Sequence, residues 1–302
     1  MYLDRLFKLM AEKQASDIFI ACGAPINIKV NGVVSPVSTQ PMDPETVRRI
    51  AYELMTKDQA REFENELEMN LSHLDRAVGN FRINIFRQRG TLALVIRYVR
   101  SSVPPFEQLR LPPVLLDMVM AKRGLVLVAG ATGSGKSTTL AAMIDYRNSN
   151  QSGHILTIED PIEYLYEHRR SIVNQREIGI DTQTYQLALQ NALREAPDLI
   201  MVGEVRDKET MQQALLHTLT GHLCLTTIHA NTPRDALSRL ENMIGMANMN
   251  LPHKASRQQI ASAITVVIQG LRLIDGRRKI TSIQEITGME GDVITMQEIF
   301  GF

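Results

Sequence analysis

GLVLVAGATGSGKS, residues 124–137, is the stretch that decides how the chain folds. The apolar run Leu125–Ala129 passes without a break into a glycine-rich turn that closes on Lys136 and Ser137. An unbroken apolar run of that length reads as a strand buried on both faces, which is the signature of a parallel sheet covered by helices. The turn matches G-x-x-x-x-G-K-[ST] and lies between that strand and a helical segment, as the pattern requires. Glycines let successive backbone N–H groups curl around phosphate, and the helix N-terminus adds partial positive charge. The loop residues Gly130, Thr132, Gly133, Ser134, Gly135, Lys136, Ser137 and Thr138 are therefore expected to hold ATP. Lys136 should reach the β- and γ-phosphates and the Ser137 hydroxyl should bind Mg²⁺.

Working outward, the runs HILTIED (154–160), DLIMVGEV (198–205) and HLCLTTIHA (222–230) alternate with helical segments near 136–149, 183–195, 207–219 and 233–244. That alternation predicts an α/β domain with a mostly parallel sheet. From about residue 264, ITVVIQGLRLIDGRRKITSIQEI predicts two strands about an Asp275–Gly276 turn, and VITMQEIF a further one, as an antiparallel extension. Upstream, Leu3, Leu6, Phe7 and Met10 have the spacing of an amphipathic helix. SDIFIACGAPINIKVNGVVSPV and GNFRINIFRQRGTLALVIRYV read as hairpins about Asn31–Gly32 and Gly90, with a helical stretch over 44–66 between them. Residues 1–100 are thus a small α+β domain. Four prolines in SSVPPFEQLRLPPVL predict an extended linker over 101–113, which leaves 114–302 as the α/β domain.

Composition narrows the function. Lysine plus arginine balance aspartate plus glutamate at 33 each, which removes the electrostatic footprint of a non-specific nucleic-acid binder, and no nucleic acid is expected. Two cysteines, Cys22 and Cys224, can build neither a disulfide framework nor a four-thiolate zinc module. No run approaches the roughly 18 apolar residues of a membrane span, so a cytoplasmic protein meeting the membrane only through a partner is expected.

A phosphate loop needs a carboxylate near Mg²⁺ and a group that orients water. Two strand exits offer acids: Glu159, Asp160 and Glu163 after one, Glu204 with Arg206 beside it after another. A solvated strand terminus is the commoner fate of a lone acid, but two such exits beside a phosphate loop favour the metal-and-water reading, with Glu204 and Ser137 at the metal. His222 and His229 lie seven positions apart, roughly 23 Å along a strand and on opposite faces, so they cannot share one metal. Ligands bind beyond the carboxyl ends of such strands, which puts His229 near the γ-phosphate and leaves His222 structural or at a subunit contact. Arg82, Arg87, Arg89 and Arg97 cluster on the second hairpin, and Arg82 and Arg97 are candidates to reach the nucleotide from the first domain.

GATGSGKSTT, HILTIEDPIEY, LREAPDLIMVGEVRD and TGHLCLTTIHAN, in this order, resemble the Walker A, Asp, Walker B and His boxes of the secretion ATPases that drive type IV pili and type II secretion. The first 230 or so residues are most similar to the retraction ATPases of PilT and PilU type. The resemblance implies a RecA-like P-loop domain preceded by a PAS-like domain, assembled as a homohexamer. It also implies hydrolysis of ATP coupled to movement of a pilus platform protein, at the inner-membrane base of a pilus machine. By position it implies Glu204 as the Walker B glutamate, Glu159 and Glu163 as Asp-box acids and His229 as the His-box residue. The tail after Thr232 instead resembles the end of the CpaF/TadA ATPases of Tad pili, which keeps a Tad-type assembly ATPase open beside retraction. A non-hydrolysing ATP-binding scaffold and a nucleic-acid motor are the remaining alternatives.

Overall fold

In the computed structural model, which describes residues 2–75, 78–99, 103–247 and 253–302, the opening apolar pattern becomes helix α1 (Tyr2–Lys13). Its Leu3, Leu6, Phe7 and Met10 are all buried, as the i, i+3, i+4, i+7 spacing requires. They pack on an antiparallel sheet formed by β1 (Asp17–Ala21), β2 (Asn27–Val30), β3 (Val33–Pro36), then, beyond two helices, β4 (Glu68–Asp75), β5 (Gly79–Gln88) and β6 (Thr91–Val99). The strand order is β3-β2-β1-β6-β5-β4. The predicted helical stretch divides into α2 (Pro44–Leu54) and α3 (Lys57–Glu66). The break has a local cause: Thr56 caps α3 through a reciprocal capping box with Gln59. Phe7 stacks on Phe81 at 4.1 Å between ring centroids, and with Ile50, Phe63, Ile83 and Ile96 they form one core. Each such side chain contributes about 1.5–3 kcal/mol by leaving water.

The chain divides into two compact units, residues 1–101 and 102–302. The proline-rich stretch is not extended as expected. Gln108 and Leu109 donate their backbone N–H groups to Pro105 O at 3.0 and 3.4 Å, and Phe106 and Leu111 pack against the core of the second unit. Proline removes a donor but keeps its carbonyl acceptor, so Pro105 can anchor a turn. Pro112 and Pro113 then stand at the N-terminus of α4 (Val114–Val119), where their missing N–H groups cost nothing.

The second unit continues with β7 (Gly124–Ala129), α5 (Lys136–Asn150), β8 (Gly153–Glu159), β9 (Ser171–Glu177), α6 (Tyr185–Ala192), β10 (Leu199–Val202), α7 (Lys208–Leu219) and β11 (Leu223–Ile228). It ends with α8 (Pro233–Ala247), α9 (His253–Ala263), β12 (Ile264–Arg272), β13 (Arg278–Glu290) and β14 (Val293–Gly301). The eight strands are ordered β14-β13-β12-β7-β11-β10-β8-β9. Strand β12 runs parallel to β7, so the antiparallel extension begins at β13, one strand later than the hairpin pattern suggested. Alternate residues of β7 feed two cores. Leu125, Leu127 and Ala129 meet Ala188, Met211, Leu237 and Ile260 from α6 to α9, while Val126 and Val128 meet Leu115, Leu140 and Ile144 from α4 and α5. Both faces are therefore covered, which is why β7 is apolar without alternation. The carboxyl ends of β7, β8, β10 and β11 are brought side by side.

Candidate nucleotide site

Those four strand ends surround a cleft of about 530 Å³, lined by Thr132, Gly133, Gly135, Lys136, Ser137, Thr138, Glu159, Asp160, Glu163, Glu204, Arg206 and His229, with Tyr164, Tyr185 and Arg278 among the rest. The loop after β7 is held as a turn by Ser134 N–H donating to Ala131 O at 3.2 Å. Gly135 caps α5 at φ +98°, a left-handed conformation that glycine adopts without strain. The first-turn amides of α5 have no acceptor within the helix and lie at its positive end, next to the cleft. Gly130 and Ser134, though part of the same loop, do not line the cleft. The Ser134 hydroxyl is buried without a hydrogen-bond partner, an uncommon state for a polar atom in a folded chain.

Lys136 is folded back onto its own loop. Its Nζ donates to Gly130 O at 3.0 Å and Ala131 O at 3.2 Å, and approaches His229 Nδ1 at 3.4 Å. Burial lowers its pKa, and the negative charges of Glu204 and Glu163 pull the other way. An ammonium has only donors, so His229 must face it with a lone pair on Nδ1 and carry its proton on Nε2. That proton points at Glu204, whose Oε1 lies 2.8 Å from His229 Nε2. The other oxygen, Oε2, accepts from Arg206 Nε at 2.8 Å, and Arg206 Nη1 reaches Asp160 Oδ2 at 3.3 Å. Lys136, His229, Glu204 and Arg206 thus form one chain of charged and polar contacts across the strand ends. The hydrogen bond to Glu204 raises the Arg206 pKa.

Glu159, at the end of β8, is buried. It accepts from Thr157 Oγ1 at 2.8 Å, Gln175 Nε2 at 3.3 Å and Glu163 N–H at 3.4 Å. Burial outweighs these bonds and pushes its pKa up to about 7. Beside it, Tyr164 and Thr138 share a hydrogen bond of 2.9 Å between hydroxyls, which ties the segment after β8 to the first turn of α5.

His222 takes the structural place. It precedes β11, its Nδ1 meets His217 O at 3.1 Å, and its ring stands edge-on to that of buried His217 with centroids 5.8 Å apart. Arg82 and Arg97 belong to the first unit, where they are register partners on β5 and β6, and Arg97 Nε donates to Asp17 Oδ1 at 2.8 Å. Four contributors carried no motif of their own in the sequence: Tyr164, Tyr185, Gln175 and Arg278. Tyr164 follows Glu163 directly inside the acid-rich segment and could have been read there. Arg278 lies 145 residues from its contact on the loop, and no local pattern announces it.

Among the described residues no cluster of three or more histidine, cysteine or carboxylate side chains could hold a metal by itself, and no helix is long and apolar enough to cross a membrane. The donor set instead suits a polyphosphate: the open first-turn amides of α5 and one buried lysine, Lys136.

Comparison with known proteins agrees with this chemistry. The chain is 48% identical over 240 residues to the type IV pilus ATPase PilU of Pseudomonas aeruginosa, covering 80% of this chain and 63% of PilU, so it spans less than two thirds of that relative. It is 38% identical over 278 residues to the type IV pilus retraction ATPase PilT of the same organism, covering 92% of this chain and 80% of PilT. The crystal structure of the pilus retraction motor PilT with bound ADP matches 99% of this chain and 82% of that one, with a TM-score of 0.84 at 38% identity. The Legionella pneumophila ATPase DotB matches 97% of this chain and 81% of its own, with a TM-score of 0.80 at 26% identity. With the family model for type II/IV secretion system proteins matching residues 1–290, the chain belongs to that family.

Proposed function

We propose that this chain is the subunit of an ATP-hydrolysing motor that powers type IV pilus dynamics in the direction of retraction. The observation that carries the reading is the chain Lys136–His229–Glu204–Arg206 set across the mouth of a phosphate loop. Lys136 is to exchange the carbonyls of Gly130 and Ala131 for phosphate oxygens, and that exchange releases His229 from the ammonium, so that the ring, held by Glu204, can respond to the departing phosphoryl group. Glu204 is to orient water, since each of its oxygens keeps a lone pair beside the bonds to His229 and Arg206. Glu159 and Glu163 line the same side of the cleft, and Glu159, ionising near neutrality, can take or give a proton. The Ser137 hydroxyl, with Glu204, would hold Mg²⁺, which would supply positive charge against the developing negative charge of phosphoryl transfer.

Arg82 and Arg97 of the first unit are assigned to the nucleotide as the parts that make hydrolysis depend on domain position. The assembled motor is a homohexamer acting on a platform protein at the inner-membrane base of the pilus, with membrane contact through that partner. Purified chain should release phosphate from ATP and sediment as a hexamer. Expression in a type IV piliated strain lacking its own retraction ATPases should restore twitching; active hexamers that restore pilus assembly instead would favour the Tad-type reading, which rests on the stretches PRDALSRLENMIGMANMNLP and ITSIQEITGMEGDVITMQEIF after Thr232.

A further inference from the structure

The tail after α9 does more than widen the sheet. A bulge at Gln269/Gly270 in β12 turns Gly270 O toward the phosphate loop, so close that a Cβ on Gly130 would meet it at 2.5 Å. Beyond the bulge the two strands of the hairpin carry arginines over the loop. Arg278 Nε donates to Gly133 O at 3.0 Å, and its aliphatic stem covers Gly135, where a Cβ would sit 3.3 Å from Arg278 Cδ. Arg272 Nη1 lies 3.9 Å from where a Cβ on Gly133 would be.

Charge gives the placement its meaning. Most arginines fixed by a hydrogen bond elsewhere in this chain have a carboxylate: Arg97 has Asp17, Arg176 has Glu195, Arg206 has Glu204 and Asp160, and Arg257 has Glu241. The acid of the hairpin's turn, Asp275, is taken by its neighbour Arg277. Among the described residues neither Arg272 nor Arg278 has an acidic partner. Two guanidinium groups, each a planar fork suited to phosphate oxygens, are thus held uncompensated beside a loop whose amides and lysine already select an anion. Holding like charges together without a counter-ion is unfavourable, and a bound polyphosphate removes that cost.

We infer that Arg272 and Arg278 form a phosphate-binding arm that the C-terminal hairpin supplies in cis to the P-loop, with Arg278 also fixing the Gly133 carbonyl. The inference rests on the ATPase reading and adds to it a cation source within the same unit, independent of the first-unit arginines. It is tested by titrating a non-hydrolysable ATP analogue and inorganic tripolyphosphate against wild type, Arg272→Ala, Arg278→Ala, Arg278→Lys and Arg277→Ala, with apo melting temperature measured for each.

Each arginine makes a charge-assisted contact at a half-solvated edge, so Arg278→Ala should weaken both ligands by about 10- to 100-fold and Arg272→Ala by about tenfold. Arg278→Lys should fall between, because it keeps the charge and loses the Nε donor to Gly133. Arg277→Ala, whose guanidinium is spent on Asp275, should bind as wild type does. Should Arg278→Ala melt early, Arg272→Ala decides, since that side chain makes no hydrogen bond among the described residues. Arg272→Ala and Arg278→Lys that both bind tripolyphosphate as tightly as wild type would overturn the arm alone. Wild type that binds neither ligand would overturn the ATPase reading, and the arm with it.

Discussion

Replacing Glu204 by glutamine changes one oxygen to an amide nitrogen, and the structure says where the conflict falls. Glu204 accepts at both oxygens, from His229 Nε2 at 2.8 Å and from Arg206 Nε at 2.8 Å. Glutamine keeps one acceptor. Arg206 is always protonated and takes it, which turns the amide NH₂ toward His229. His229 must then move its proton to Nδ1, where it meets the Lys136 ammonium 3.4 Å away, donor against donor. Losing a hydrogen bond to a charged group costs about 1.5–3 kcal/mol in the organisation of the site. Removing the carboxylate that orients the attacking water costs a further factor of about 10² or more in rate. We therefore expect kcat for Glu204→Gln to fall at least about a hundredfold, because both effects act on the chemical step. Nucleotide Kd should change little, since the loop amides are untouched and Lys136 leaves His229 for phosphate when nucleotide binds. Phosphate release under saturating ATP reads the first quantity and titration with a fluorescent ADP the second. Imidazole ¹⁵N shifts report the His229 tautomer directly. Turnover close to wild type, or a His229 that keeps its proton on Nε2, would refute the reasoning; loss of nucleotide binding in a folded variant would make Glu204 a structural residue.

Other outcomes follow from single side chains. Glu159 has a folded pKa of about 7, raised from an ordinary carboxylate, so the folded state binds the extra proton between pH 4.5 and 7 and stability falls as pH rises through that window. The effect is about 3 kcal/mol at most, and Glu159→Gln should flatten that limb of a denaturation-against-pH curve while removing any ionisation near pH 7 from the kcat profile. An unchanged profile in both measurements would mean that Glu159 titrates as an exposed acid does. His229→Ala should lower kcat with Kd largely retained, because its contact matters most as the phosphoryl group departs. His222→Ala should instead cost about 1 kcal/mol of stability through the lost bond to His217 O, leaving turnover in assembled rings near wild type. Equal kcat losses in the two histidine variants, with intact rings, would place both imidazoles at the nucleotide.

The parts of this site that were legible in the sequence are those whose chemistry demands a contiguous run. A phosphate loop needs its glycines, lysine and hydroxyl within one turn, so residues 130–137 announce both the ligand and the strand–helix junction. Acids at Glu159 and Glu204 and the imidazole of His229 follow apolar strands, and strand exits converge in any sheet of this kind. What joins those exits was not legible. The bonds of Glu204 to His229 and of Lys136 to His229 depend on strand order, and sequence does not say that β11 lies between β7 and β10. Strands β4 and β9 escaped notice because EMNLSHLD and SIVNQRE are rich in polar residues, and both are edge strands with little to bury. The tail hairpin was legible as strands, yet nothing in RLIDGRRK says that Arg272 and Arg278 lie over Gly133 and Gly135. The proline-rich stretch misled for a simpler reason: missing N–H donors forbid a helix, but they do not forbid a turn closed on a proline carbonyl.

The most direct test of ATP hydrolysis at this cleft is phosphate release by wild type and by Lys136→Ala, purified in parallel and assayed at saturating Mg-ATP. Lys136 is the one side chain that must leave the carbonyls of Gly130 and Ala131 for phosphate, and alanine cannot balance charge on the β- and γ-oxygens. We expect steady release by wild type and none above background by the variant, with both folded to the same melting profile. Silence from wild-type hexamers, or equal release from the two proteins, would contradict the assignment.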